Sequence, residues 1–568
     1  MRNKTHLRSL IALLLTLPLL IASVPSVRAE KKMSGTVRVL LTRLNLTDRA
    51  DISLDGSYTL NDIAFQRGSR LTAAAVDNEI YVYYEGMSLN AGKTLILTRH
   101  ETDDGKENGV RINGNYALHP GDLHLTVRDG ALRAVLHAPV EEYILGVVPY
   151  EMSDSYPLEA LKAQAVAART YALRKAGASG DYDLVDNTND QAYYGVRKEH
   201  ANAARAVRET TGICGFWKGS LAQCYYSASN GGQTELPRHV WGDSDDSCYA
   251  AVEDPYDLEN PESTVKKYSL PKRLSSNGDL GPLKNSVLGI LSEQLESQGW
   301  DGDAEHIRVT SIQAAETALP LHRDGGGVMT LLRLTFTVEG RRMISDGDET
   351  EISIFDDPAV TPAPSAQKEE WGPMQPLPSP VTVALDLFPG VETALNLSIN
   401  PGSNEVITVR ETDDAFVIES RRYGHGVGMS QRGAQRMAGK YAFTYEQILR
   451  FYYPGMTLET VAYTASAAPK IRHQFLATPG PAATPTPRPT LMPVSATPAP
   501  GEYRVTVGNI GVNSYLNLRA EPNTQAEVLR QLYFGQALIV VRDLGDWLLV
   551  KTDDAQGYVM AQFVVKEK

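Results

Sequence analysis

Glu151 is a lone carboxylate set between an apolar run and a helix-forming stretch. Leu145-Gly146-Val147-Val148 reads as strand-like and stops at Pro149, which cannot continue a central strand. Pro157 opens the next segment, where its missing N–H costs nothing in a first helical turn. Glu151 is thereby held in a short connection between packed elements, where catalytic groups are often presented. A carboxyl so held can donate a proton and, once ionised, take one back. The plainer alternative is that Glu151 caps the helix that follows. Downstream, Lys162 and Arg169 lie almost two turns apart and share one helix face, with Gln164 on roughly the opposite side. A cation beside Glu151 would lower its pKa, whereas a general acid needs it raised. Arg169 is therefore expected against a substrate or another carboxylate, with Glu151 desolvated once the cleft is filled.

Three blocks recur in one order. The first runs from Leu145 through Glu151 to the Ala-rich Leu158-Glu159-Ala160-Leu161-Lys162-Ala163-Gln164-Ala165-Val166-Ala167-Ala168-Arg169-Thr170-Tyr171. The second is Tyr225-Tyr226-Ser227-Ala228-Ser229-Asn230-Gly231-Gly232-Gln233-Thr234-Glu235, followed by Val240-Trp241-Gly242. The third is Gly424-His425-Gly426-Val427-Gly428-Met429-Ser430-Gln431-Arg432-Gly433-Ala434. Together they resemble the SpoIID/LytB family of sporulation and cell-wall proteins, across residues 34–465.

The better-studied members of that family are lytic transglycosylases that cut peptidoglycan glycan strands. The resemblance implies that Glu151 is the acid/base and that denuded glycan is converted to 1,6-anhydro-muramyl ends, in sporulation or wall remodelling. It implies substrate contacts from Lys162, Gln164, Arg169, Gln191, Tyr226, Ser227, Ser229 and His425. Within that set, Gln164 is read as supporting the fold, and for Arg169 a structural ion pair is an equal alternative. Strand alternation sends Tyr225 and Tyr226 to opposite faces, so one ring reaches the glycan and Tyr226 is favoured. His425, among glycines, either helps the substrate or pins its own loop. Some relatives bind zinc through a Cys…His-Cys-Gln segment. Here Val185, Asn189 and Asp190 occupy the ligand positions and cannot form a soft tetrahedral site. No metal and no cofactor are expected.

The same motifs occur in a different class, the wall-binding amidase enhancer, which lacks its own activity and stimulates a partner amidase. That is the alternative function, with a cell-wall amidase as partner. A third reading, hydrolysis by added water, needs a second positioned carboxylate, for which Glu235 or Asp254 could serve.

The elements that must position these groups imply an α+β domain. Short branched or aromatic strands are expected around Val37–Leu41, Ile80–Tyr84, Leu95–Leu97 and Leu123–Val127, and helices over Pro157–Lys175, Ala201–Thr210 and Val287–Gln298. Residues 345–380 read as a disordered insertion. Residues 467–501, rich in Pro, Thr and Ala, read as an extended tether. Residues 502–566 resemble a small all-β bacterial SH3-like barrel, on Leu516-Asn517-Leu518-Arg519-Ala520-Glu521-Pro522, Phe534-Gly535, Gly545-Asp546-Trp547 and Gly557-Tyr558-Val559. The resemblance implies wall attachment, with Trp547 and Tyr558 as weak ligand candidates.

A basic start at Arg2, Lys4 and Arg8, an apolar Leu10–Ala22 and a Val27-Arg28-Ala29 site predict a signal peptide over 1–29. An uncleaved anchor is the alternative, and either places the protein outside the cytoplasmic membrane. No Cys precedes Cys214, which excludes a lipoprotein anchor. A chain of 568 residues predicts two or three folding units. A net charge of -13 argues against nucleic acid as partner. With three Cys, either one disulfide and a free thiol or three reduced thiols are open.

Overall fold

A computed structural model describes residues 31–344 except 62 and 243–247, residues 371–464, residues 467, 468, 470, 498 and 499, and residues 501–566 except 509–514, 525, 534–535 and 553–554. The signal segment, residues 345–370 of the expected insertion, most of the tether and Phe534-Gly535 lie outside the described residues. The chain divides into two compact units. One holds residues 31–40 and 137–464, the other residues 41–136 and the described residues from 467 onward. Residues 41–136, inside the 34–465 span, fall in the second unit.

Residues 41–136 are antiparallel strands whose side chains alternate. Ala50, Ile52 and Leu54 are buried along Arg49–Leu54 while Arg49 and Asp51 face out. Asp77 and Asn78, both at positive φ, make the tight turn between Arg70–Val76 and Glu79–Tyr84. The C-terminal residues form a seven-stranded sheet running from Tyr503–Val507 to Val564–Lys566. Its strand pairs are antiparallel, around a core of its own that includes Val505, Leu518, Leu532, Val550 and Val559.

The unit that carries the site has ten α-helices among its described residues: α1 (Val140–Leu145), α2 (Val148–Glu151), α3 (Leu158–Lys175), α4 (Ala201–Glu209), α5 (Pro237–Trp241), α6 (Pro255–Glu259), α7 (Lys284–Glu296), α8 (Glu392–Ala394), α9 (Gln431–Tyr441) and α10 (Tyr445–Tyr452). The expected strand before Glu151 is instead α1 and α2. An apolar run that short does not distinguish a strand from a buried helix. Here Val147 and Val148 are buried in a helical turn, and Pro149 sits in the first turn of α2, where no N–H is missed.

Helix α3 is the hub. It is buried from Ala160 through Leu173 apart from Lys162, with α1, α4, α9, α10 and the strand Ile213–Trp217 packed around it. A helix covered on every side needs small residues, because only a methyl group then separates neighbouring backbones. Ala160, Ala163, Ala165, Ala167, Ala168 and Ala172 supply that. Beyond it, α7 packs against a sheet built on Arg308–Pro320, Met329–Gly340 and Val381–Asp386, around Leu291, Leu295, Phe336 and Val383.

Candidate active site

Glu151 ends α2 with its carboxylate turned into the unit. Oε1 accepts the Ala192 backbone N–H at 2.7 Å, and Oε2 faces Gln431 Nε2 at 3.4 Å. The Tyr226 hydroxyl donates to the same carboxylate. Burial raises the Glu151 pKa above its ordinary value, while these three donors, which favour the anion, pull it down. Burial is the largest cause and no cation is among the causes. Glu151 does not cap α3, whose N-cap residue is Pro157 with no side-chain cap bond. The arrangement suits a proton donor that must also be stable as a carboxylate.

The second and third sequence blocks meet here. Tyr226-Ser227 pairs in parallel with Met429-Ser430, and Ser229 bridges to Tyr423. Ser430 caps α9 through the Gly433 N–H, which presents Gln431 at the helix start. Gln191 is 1% exposed and holds its neighbours through three hydrogen bonds. Its Nε2 donates to the Tyr226 hydroxyl at 2.9 Å and to the Ala168 carbonyl at 3.2 Å, and its Oε1 accepts from the Tyr143 hydroxyl at 3.1 Å. Tyr226 is half-buried with its hydroxyl on Glu151, whereas Tyr225 packs against Trp241 at 4.4 Å.

His425 pins its loop. Its Nδ1 accepts the Val427 N–H at 3.0 Å, and the ring bonds the Tyr226 backbone. Burial lowers its pKa to about 4, so it is neutral at physiological pH and props the strand that carries Tyr226.

Five of the residues expected as substrate contacts are buried or already engaged by protein groups. Arg169 is 0% exposed and grips Glu141 with both arms, at 2.8 and 2.7 Å. Glu141 also accepts the Gly212 N–H and the Tyr463 hydroxyl, so this pair fastens α1 and α3 to the neighbouring strands. Lys162 is held by Glu159 and Glu209 at 2.8 and 2.7 Å, tying α3 to α4. The tension between a cation and a general acid disappears because both cations are committed elsewhere. Ser229 donates to Asp257 at 2.8 Å. Ser227 is buried and its Oγ has no hydrogen-bond partner among the described residues. Gln164 is fully buried with neither amide atom hydrogen-bonded, so it fills space and braces no backbone group among the described residues.

The carboxylates considered for hydrolysis are also engaged. Glu235 is 4% exposed between Arg422, His239 and the Leu236 N–H. Asp254 caps α6 and accepts from Tyr452 at 2.6 Å and Asn230 at 2.7 Å, with burial raising its pKa to about 6. Where zinc ligands would stand, Asp190 accepts the Val185 N–H at 2.8 Å and the Tyr171 hydroxyl at 2.9 Å, and pairs with Lys175. Hydrogen bonds close that loop. Cys214, Cys224 and Cys248 are buried and form no disulfide among the described residues, and burial pushes the Cys214 thiol up to about 12.

Residues 128–215 match the family model described as Stage II sporulation protein, and residues 514–565 match that of a bacterial SH3 domain. The chain carries a SpoIID domain and a bacterial SH3 domain. The SpoIID match spans α1 to α4 and so contains Glu151, Arg169 and Gln191. Among curated relatives, the chain is 28% identical over 325 residues to a Bacillus subtilis protein named Amidase enhancer, covering 55% of this chain and 40% of that one. It is 28% identical over 200 residues to Stage II sporulation protein D of the same organism, covering 32% and 55%. An uncharacterised protein of Brachyspira hyodysenteriae is 26% identical over 437 residues, covering 74% and 92%. The chain thus spans less than two thirds of both named Bacillus subtilis relatives.

Sequence reasoning missed three contributors to the SpoIID site. Gln431 was legible as the residue after a Ser N-cap, a start signal that fixes which side chain begins the helix. The Ala192 N–H and Tyr143 carry no local signal, because a backbone donor and a remote phenol become partners only through the fold.

Proposed function

We propose that the unit bearing Glu151 is a peptidoglycan lytic transglycosylase acting outside the cytoplasmic membrane, in sporulation or cell-wall remodelling. The observation that carries this reading is a carboxyl raised by burial yet surrounded by three donors to its anion. In the first step the Glu151 carboxyl gives its proton to the glycosidic oxygen as the bond to the anomeric carbon breaks. In the second the sugar's own C6 hydroxyl oxygen bonds to that carbon and its proton returns to Glu151. The product is a 1,6-anhydro-muramyl end, and no water enters. One carboxylate suffices, which fits a chain whose other candidates, Glu235 and Asp254, are spent on structural bonds. The SH3 domain would hold the enzyme on the wall.

The amidase-enhancer reading is favoured by one specific observation, the 28% identity over 325 residues to a protein of that name. In that case the cleft would bind glycan and present a partner amidase. Purified protein incubated with stem-peptide-free glycan strands decides the matter. Anhydro ends support the transglycosylase, reducing ends would mean hydrolysis, and no cleavage without added amidase would leave the enhancer.

A further inference from the structure

Two exposed aromatic side chains pack against chain neighbours of residues at the Glu151 site. Trp241 is 46% exposed and Tyr194 is 37% exposed. A single exposed ring is ordinary, but these two are mounted and braced. Trp241 ends α5, which Pro237 starts and Gly242, at φ 66, stops. Tyr225 lies against the indole with ring centroids 4.4 Å apart, and His425 meets it at 5.0 Å. Tyr225 is the residue before Tyr226, and His425 bonds the Tyr226 backbone. Tyr194 stands two residues beyond Ala192, and its N–H is fixed by the Gly146 carbonyl at 3.1 Å. Its ring stacks on Tyr150 at 4.6 Å and 25°, and Tyr150 in turn has His200 edge-on at 5.3 Å. Tyr150 directly precedes Glu151. Trp241 is thus braced by the chain neighbour of Tyr226 and by His425, and Tyr194 by the chain neighbour of Glu151.

We infer that Trp241 and Tyr194 are sugar-stacking platforms that seat pyranose rings of a β-linked N-acetylhexosamine strand at the Glu151 site. A pyranose presents a face of axial C–H groups, apolar and slightly positive, and the negative π face of an indole or phenol is its natural partner. A ring already braced by its neighbours loses little conformational freedom on binding, which is what makes an exposed aromatic useful as an anchor. Two platforms require a strand several sugars long, so the cleft should prefer long glycan to disaccharide. This rests on the glycan reading of the site above.

The test uses the full-length chain carrying Glu151→Gln, titrated calorimetrically with the hexamer and the dimer of β-1,4-linked N-acetylglucosamine. Adding Trp241→Ala or Tyr194→Ala is expected to weaken hexamer binding about tenfold, as truncating an aromatic anchor does, and to narrow the hexamer-over-dimer preference. Trp241→Phe and Tyr194→Phe keep a ring and should retain most of the affinity, which guards against a folding artefact. Any binding by the SH3 domain is common to all variants and cancels in the comparison. Hexamer affinity unchanged by both alanine variants, or no hexamer binding by the parent, overturns the platforms. Cleavage by the wild-type protein is scored separately. Absent anhydro products with ring-dependent binding sink the transglycosylase and keep the platforms, and the converse result sinks the platforms alone.

Discussion

Gln191 donates its amide N–H to the Tyr226 hydroxyl at 2.9 Å, which leaves that hydroxyl's own proton directed at Glu151. The hydroxyl is thereby oriented by a residue that is itself buried. Gln191 is itself held by Tyr143 and by the Ala168 carbonyl of α3, so Glu151 is connected to the hub helix through hydrogen bonds.

Glu151→Gln should fold normally and lose most cleavage. The amide keeps the shape but can neither give nor take the proton, and losing general acid–base catalysis costs ~10²–10⁴-fold. Turnover of denuded strands near the wild-type rate would remove Glu151 from its role.

Tyr226→Phe removes a donor that favours the Glu151 anion, so the carboxyl pKa should rise further. A general acid works only while protonated, and the alkaline limb of the cleavage profile should therefore move to higher pH. The rate at the optimum should fall roughly tenfold or more, since hydrogen bonds to charged groups contribute about 1.5–3 kcal/mol. A limb that moved down, or stayed, would detach Tyr226 from the carboxylate.

Arg169→Met should act on stability. It leaves Glu141 without its bidentate partner, at about 3 kcal/mol, the low end for breaking a buried pair because 23% of the Glu141 side chain is exposed. Denaturant midpoints would measure this. Unchanged stability with weakened glycan affinity would restore Arg169 as a substrate contact.

His425→Asn should flatten the acid side of the stability curve. The folded-state pKa of about 4 lies below the ordinary imidazole value of 6.5. The neutral ring is thus favoured by the fold, and its contribution is present above pH 6.5 and is lost as pH falls towards 4. Asp254, raised to about 6, has the opposite slope and contributes most below its ordinary value of 3.8. The difference between wild type and variant isolates His425. Equal slopes between pH 4 and 6.5 would contradict its being buried neutral.

A protein ending near Ala467 should cleave soluble glycan at close to the full-length rate and lose affinity for intact sacculi. The C-terminal domain has its own core, so its effect would be to raise the local concentration of the cleft near its substrate. Loss of cleavage in a truncated protein that stays folded would mean that the SH3 domain helps to form the site.

Glu151, Tyr226 and the Gly424–Ala434 block were legible in the chain because each is a local pattern: a carboxylate before a proline-started helix, an aromatic on an alternating strand, a glycine run before a capped helix. The strands of residues 41–136 were legible for the same reason, since burial alternates along a strand whatever it pairs with. The apolar run at Leu145–Val148 was misread because burial on all sides removes the periodicity that separates strand from helix. Lys162 and Arg169 share a helix face in any structure, and Glu159 lies one turn before Lys162 on the same helix, but Glu141 and Glu209 meet that face only because α1 and α4 pack there, and these three carboxylates hold both cations in ion pairs. The pKa of Glu151 belongs to the tertiary structure alone. Desolvation is a property of what surrounds a group, and Ala192, Tyr226 and Gln431 reach it from three separate stretches of chain.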